Sequence, residues 1–209
     1  MKKLKLALLG FGNAGQAFAE MLTKKNNGIL ETYDTKVEIV AISTRSKGSI
    51  INEDGIDLNL AMEDIEKYGK FSDKTKGITD ATSFQIIEKV DYDVLVELTP
   101  LQILTGQPAI NHIKGAFSRG KHVITANKGP IAWAFDELQQ IAHKNNCLFF
   151  YETTVMDGTP IFNLVDQTLK FCKVTEVSGI LNSTTNYILE ELEKGKDYNE
   201  IIDSGKKLG

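Results

Sequence analysis

The chain has 209 residues, 42% of them hydrophobic and 25% charged, with a net charge of −4. That is enough length and apolar content to bury a core, and the composition is that of an ordinary globular protein rather than a disordered or fibrous one. The negative balance offers no general attraction to nucleic acid or anionic lipid, and no apolar run is long enough for a membrane helix, so a small-molecule substrate remains as the expected partner.

The chain opens with Lys2, Lys3 and Lys5 ahead of Leu-Ala-Leu-Leu, and Ala17-Phe18-Ala19 imitates a signal-peptidase site. The apolar stretch is broken by Gly10, Gly12, Asn13 and Gly15, which argues against a signal peptide and for a cytoplasmic chain. Leu4 to Leu9 reads as a parallel strand buried on both faces, and Ala14, Ala17, Phe18, Met21 and Leu22 follow at helical spacing. Between them stands Gly10-Phe11-Gly12-Asn13-Ala14-Gly15, a Gly-x-Gly-x-x-Gly turn in the strand-to-helix context that a dinucleotide fingerprint requires. Gly10 permits the turn, Gly12 lets backbone approach a pyrophosphate, Gly15 lets helix pack on strand, and the N–H groups of Phe11 to Ala14 face the phosphates.

A second strand is expected from about Lys36 to Ser43. At its end, where NAD-selective folds carry an acidic residue, stand Ser43-Thr44-Arg45-Ser46. Hydroxyls and a guanidinium suit a 2′-phosphate, so Thr44 and Arg45 predict NADP(H) preferred with NAD(H) possible; Lys47 either assists or is a solvated surface residue. Ser46 to Gly77, rich in charged and amide side chains, reads as a surface insertion with a short helix or two. The third strand, Asp93 to Leu98, ends in Glu97-Leu98-Thr99-Pro100, where Thr99 is either a neighbour of the nicotinamide or part of a plain strand-ending turn. Strands at His122 to Ala126 and Cys147 to Glu152 flank a helix with Ile131, Ala134, Phe135, Leu138, Ile141 and Ala142 on one stripe. Lys128, between a strand end and a Gly-Pro turn, can set a cation beside a carbonyl or its developing alkoxide. Cys147 and Cys172 lie in apolar surroundings and read as buried, reduced thiols.

The alternation of strands and helices predicts an α/β fold, a Rossmann-type doubly wound parallel sheet over residues 1-152. The pattern changes in residues 153-209, which read as the start of an α+β substrate and dimerisation domain. There a helix runs from Asp157-Gly158-Thr159-Pro160 to about Lys170, Val174 to Leu181 is a strand, Thr185 to Glu193 a helix, and Asp197-Tyr198-Asn199-Glu200 caps a final helix. The tract Gly179 to Leu189 gathers Asn182, Ser183, Thr184, Thr185 and Asn186 at a strand-to-helix junction, whose amides and hydroxyls suit a small polar ligand or simply start a helix.

Leu181-Asn182-Ser183-Thr184-Thr185-Asn186 resembles the Leu-Asn-Gly-Thr-Thr-Asn signature of homoserine dehydrogenases. Ala126-Asn127-Lys128 matches that family's Ala-Asn-Lys motif, Glu97-Leu98-Thr99 its Glu-x-Thr, and Tyr151 to Pro160 its Glu-x-Thr-Val-x-x-Gly-x-Pro stretch. The resemblance implies an NAD(P)-dependent oxidoreductase that interconverts L-homoserine and L-aspartate 4-semialdehyde, on the route to threonine, methionine and isoleucine. It further implies substrate contacts at Asn182, Thr184 and Thr185 and a role for Lys128 beside nicotinamide and substrate. A monovalent cation, sodium, is implied at Glu152, Val155, Asp157 and Thr159, and a homodimer at full length.

Two features depart from the family pattern. Ser183 replaces a glycine, which would strain any backbone with positive φ there. Lys207-Leu208-Gly209 looks like the start of a Leu-Gly-Tyr-Ala-Glu motif, and the family's acid/base lysine falls after it, so the chain is expected to be a homoserine dehydrogenase lacking its C-terminal third. Apolar faces of Val174 to Leu181 and of Ile201 to Leu208 are then expected to be exposed. The alternative is a catalytically incomplete NADP-binding module that senses or regulates.

Overall fold

The structure is a computed structural model that describes residues 2–208. In chain order it runs β1 (Lys2–Leu9), α1 (Asn13–Tyr33), β2 (Thr35–Ser43), β3 (Ser49–Ile51), α2 (Leu58–Tyr68) and β4 (Ile78–Thr79). It continues with α3 (Ser83–Lys89), β5 (Val94–Glu97), α4 (Ala109–Ser118), β6 (His122–Thr125), α5 (Lys128–Lys144) and β7 (Phe149–Phe150). The strands form one sheet in the order β4-β3-β2-β1-β5-β6-β7, parallel from β2 to β7 and antiparallel at β3 and β4.

β1 is innermost, and Leu6, Ala7, Leu8 and Leu9 are all buried because helices cover both faces of a parallel sheet. Alternation divides them: Leu6 and Leu8 join Ala19, Leu22, Ile39, Ile42 and Ile65 on one face, whereas Ala7 and Leu9 join Ile86, Leu95, Ile113, Phe117 and Leu138 on the other. α1 and α2 thus close one side, and α3, α4 and α5 the other. Each large side chain so buried contributes about 1.5–3 kcal/mol. A register shift in the β1–β2 pairing, after Leu6↔Ile39, leaves Val40 unmatched and returns Ile42 to the face of Ile39.

Several expectations are corrected. Ser46 to Gly77 carries an expected short helix, α2, but is no surface insertion: β3 within it and β4 just after it extend the sheet, and Ile50, Ile56, Ala61, Ile65 and Phe71 enter the core. Apart from the buried Asp64, its charges sit on the outer face of α2 and in the turns, and they mask a sparse apolar set at helical spacing. On α1 the buried stripe is Gly15, Ala19 and Leu22, with Phe18 beside them, while Ala14, Ala17 and Met21 face outward. The strand expected at Cys147 to Glu152 shrinks to Phe149–Phe150, followed by the 3₁₀ turn Glu152–Thr154.

The chain divides into two compact units between Thr154 and Val155. The second holds α6 (Ile161–Thr168), α7 (Ser183–Glu193) and α8 (Tyr198–Leu208), with Asp197 Oδ1 accepting from the amides of Asn199 and Glu200 at the start of α8. Val174 to Leu181 forms no strand among the described residues, and Val177 and Ile180 are 67% and 64% exposed. Ile201, expected outside, is buried against α7's unit, while the side chain of Leu208 and all of Gly209 lie outside the described residues. Cys147 is half-buried, and burial pushes its thiol up; Cys172 is exposed, not buried as expected. Among the described residues no helix is long and apolar enough to cross a membrane.

Candidate functional site

The chain leaves β1 toward β2 on one side and reaches β5 on the other, so the carboxyl ends of β1 and β5 flank the point where the strand order reverses. Open α/β sheets bind ligands at that point. Here a cleft of about 900 Å³ opens, within the range of pockets that enclose small molecules.

Gly10 is wedged at the base of the cleft, with φ of +103°, and a Cβ there would stand 2.4 Å from the carbonyl oxygen of Leu98. Its amide donates to Ser43 O at 2.8 Å, so the turn is tied to β2 while touching the end of β5. Gly15 could carry no side chain either, since a Cβ would lie 2.7 Å from Gly10 O. Gly12 differs: it caps α1 without a side-chain bond, and nothing lies within 4 Å of where its Cβ would be. The first amides of α1 have no acceptor inside the helix, so turn and helix together make an anion cradle open on the glycine side. Phe11 directs its ring into the core against Phe71, 5.7 Å between centroids, which leaves its main chain to face the cleft. These features fit a dinucleotide pyrophosphate.

A second wall is the turn between β2 and β3. Thr44 Oγ1 donates to Gly48 O and accepts from the Lys47 amide, both at 2.8 Å, which shapes the turn. Arg45 is exposed along the cleft, whereas Lys47 reaches back and donates from Nζ to Phe11 O at 2.9 Å. Asp80, on the turn after β4, lines the same cleft and is the one carboxylate in its lining.

The third wall is the end of β5 with α4. Glu97 is fully buried, and its Oε1 accepts from the Thr99 amide at 3.3 Å and from the Thr99 hydroxyl. His112, on α4, is also buried and brings Nδ1 to 3.5 Å from the same oxygen, with the Phe84 ring 4.9 Å away on centroids. Thr99 and His112 line the cleft, and Glu97 stands behind them with Oε2 unpartnered among the described residues. Asn127 closes the network: its Nδ2 donates to Thr99 O and its Oδ1 accepts from the Gly129 amide, each at 3.0 Å.

Of the residues expected at a cofactor site, the cleft gathers Gly10, Phe11, Gly12, Thr44, Arg45 and Thr99 along its walls. Asn13, Ala14 and Gly15 belong to the helix start beneath it, and Lys128 is not in its lining. Lys128 is instead the exposed first residue of α5, capped by Asn127. A cation at a helix N-terminus opposes the macrodipole, so helix stability does not explain that choice of residue. Glu97, His112 and Asn127 were not singled out from the sequence as site residues. The signals were there: a carboxylate ending the apolar run Val94-Leu95-Val96, and a histidine on the apolar face of Ile110, Ile113 and Ala116.

In the second unit, Asn182 caps α7 with Oδ1 accepting from the Thr185 amide at 2.9 Å, and the Thr185 hydroxyl returns to Asn182. Thr184 is exposed beside them, and Ser183 begins the helix without a positive φ, so its replacement of glycine causes no strain. Glu152 opens the 3₁₀ turn at the end of the first unit; Val155, Asp157 and Thr159 open the second, where Met156 and Asp157 have φ of 56° and 49°. Among the described residues no three His, Cys, Asp or Glu side chains gather as a metal site.

Comparison with known proteins bears on both units. The family model described as homoserine dehydrogenase, NAD binding domain, matches residues 10–152, and that described as homoserine dehydrogenase matches 160–209. A homoserine dehydrogenase of Methanocaldococcus jannaschii is 40% identical over 98% of this chain and 60% of its own length. An NAD(+)-dependent homoserine dehydrogenase of Pseudomonas canavaninivorans is 35% identical over 100% of this chain and 59% of its own. Among solved structures, a hyperthermophilic archaeal homoserine dehydrogenase in complex with NADPH superposes with a TM-score of 0.83 at 29% identity, over 99% of this chain and 61% of that one. An Archaeoglobus fulgidus relative described as a homoserine dehydrogenase gives 0.82 at 33% identity, over 99% and 60%. The chain thus spans about 60% of the length of these relatives. With one model alone covering residues 10–152, the chain belongs to the homoserine dehydrogenase family.

Proposed function

We propose that this chain carries the nicotinamide dinucleotide-binding domain, residues 1–152, and the start of the substrate domain, residues 153–209, of a homoserine dehydrogenase. The reaction is hydride transfer between nicotinamide C4 and the terminal carbon of L-aspartate 4-semialdehyde or L-homoserine. The observation that carries the reading is the cleft at the strand-order reversal, floored by a glycine turn in which Gly10 touches Leu98 and Gly12 is open to a ligand.

The proposed roles follow the three walls. Gly10 to Gly15 hold the pyrophosphate through main-chain N–H groups and the helix N-terminus. Arg45 takes the 2′-phosphate of NADP(H) with its exposed guanidinium on the cleft, on the turn that Thr44 shapes by donating its hydroxyl to Gly48 O. Thr99 stands beside the nicotinamide, which supplies or accepts the hydride when bound. Lys128 places an ammonium near the substrate carbonyl oxygen, where negative charge develops, and Asn182, Thr184 and Thr185 orient the amino-acid end. The same proposal takes sodium at the oxygens of Glu152, Val155, Asp157 and Thr159, hard donors suited to that ion, and a homodimer for the full-length protein.

The test is NADPH binding to the 209-residue chain by cofactor fluorescence, alongside NADPH oxidation with aspartate semialdehyde in buffers with and without sodium. Saturable binding that is tighter for NADPH than for NADH is the expected result, with Arg45→Ala removing the preference. Turnover is expected at least about 10²-fold below that of a full-length relative, the loss typical when a general acid–base group is missing. Absence of any nucleotide binding would overturn the reading.

A further inference from the structure

Resting on the nicotinamide-binding reading, we propose that Glu97 fixes the polarity of the Thr99 hydroxyl, so that the cleft selects a carboxamide over a carboxylate at the nicotinoyl end of the cofactor. A threonine hydroxyl has one proton to donate and two lone pairs to accept with. Glu97 Oε1 already accepts the Thr99 amide N–H, and an oxygen receiving an N–H is an acceptor for the hydroxyl as well. The single hydroxyl proton is therefore turned inward, to a carboxyl with no exposure to solvent. What Thr99 Oγ1 presents to the cleft is lone pairs.

The surroundings hold that arrangement in place. The Thr99 carbonyl takes the Asn127 Nδ2 proton at 3.0 Å, and Gly10 packs onto the Leu98–Thr99 peptide, so the main chain is held while the bond to Glu97 holds the hydroxyl. His112 Nδ1 lies 3.5 Å from Glu97 Oε1, with the Phe84 ring 4.9 Å away on centroids, so a buried imidazole packs against the carboxyl. An acceptor-only hydroxyl complements an amide NH₂ and repels a carboxylate. Glu97 and His112 are positioning residues in this account, and Thr99 alone touches the ligand.

The experiment is competition against NADPH fluorescence by NADP⁺ and by its nicotinic acid analogue, with 2′,5′-ADP as a ligand that lacks the nicotinoyl end. Wild type is expected to bind NADP⁺ about tenfold or more tightly than the acid analogue, the order expected for one hydrogen bond made against one acceptor left facing a charge. Thr99→Val should bring the two toward parity with 2′,5′-ADP unchanged. Glu97→Gln, whose side-chain amide offers either polarity to the hydroxyl, should narrow the gap in the same direction. Should Glu97→Gln fail to fold, Thr99→Val decides alone. Equal affinities in wild type, or a preference that survives Thr99→Val, would overturn the proposal while leaving nucleotide binding intact. A loss of 2′,5′-ADP binding in step with NADP⁺ would overturn it too, by showing a merely structural role. Failure of every dinucleotide to bind would instead remove the nicotinamide reading on which it stands.

Discussion

Gly10 and Gly12 stand two residues apart under different constraints. Gly10 needs both its positive φ and the space against Leu98 O, so Gly10→Ala is expected to cost at least about 2 kcal/mol of stability, by strain and by displaced backbone, and to abolish nucleotide binding. Gly12 has φ of −83° and open space around it, so Gly12→Ala should fold with little change in urea midpoint and still bind NADPH more weakly, because its methyl faces the phosphates. Paired urea melts and fluorescence titrations check both, and equal stability loss in the two variants would contradict the geometry. These glycines were legible in the sequence because conformational permission leaves a fixed spacing. Glu97 and His112 were not legible as a pair, because fifteen residues and a turn separate them and only the fold brings Nδ1 to the carboxyl.

At the scale of elements, the segment after α2 shows how a charged stretch becomes core. Asp64 is buried on α2, and its carboxylate accepts the Ser72 amide at 2.8 Å and the Thr75 hydroxyl at 2.7 Å, which pins the turn that delivers Phe71 to the glycine loop. Burial alone would push this carboxyl up, but the bonds from Thr75 and Ser72 and the nearby Lys74 hold it below the ordinary carboxylate value. Its contribution is therefore complete above the ordinary value, near pH 4, and is lost as pH falls through the lower folded value. Asp64→Asn should cost about 1–3 kcal/mol at pH 7 by urea denaturation, with the gap to wild type narrowing under acid conditions. Periodicity identified β1, β2, β5 and β6 because buried parallel strands are continuous apolar runs. It missed β3 and β4, two or three residues long, and promoted Val174 to Leu181 to a strand, because an apolar stretch signals a strand only where a neighbour completes its hydrogen bonds.

For the whole molecule, the buried apolar clusters lie entirely within residues 4–149, while the second unit buries Ile201 and leaves Phe171, Val177, Ile180 and Leu189 largely exposed. Amide exchange should accordingly be slowest in β1, β2 and β5 and fast throughout residues 155–208, and a fragment of residues 1–154 should keep the nucleotide affinity of the chain. Comparable protection in both units would contradict this. The position of β1 also sets a schedule for folding during synthesis. It is made before both of its partners, and one edge stays unpaired until β5 appears, since Leu6 pairs with Val94. At about 5–20 residues per second, that edge waits roughly 4–18 seconds. The run Leu6 to Leu9, which ends almost wholly buried, thus keeps an open strand edge on the ribosome for that interval, and it is there that a chaperone would engage the nascent chain.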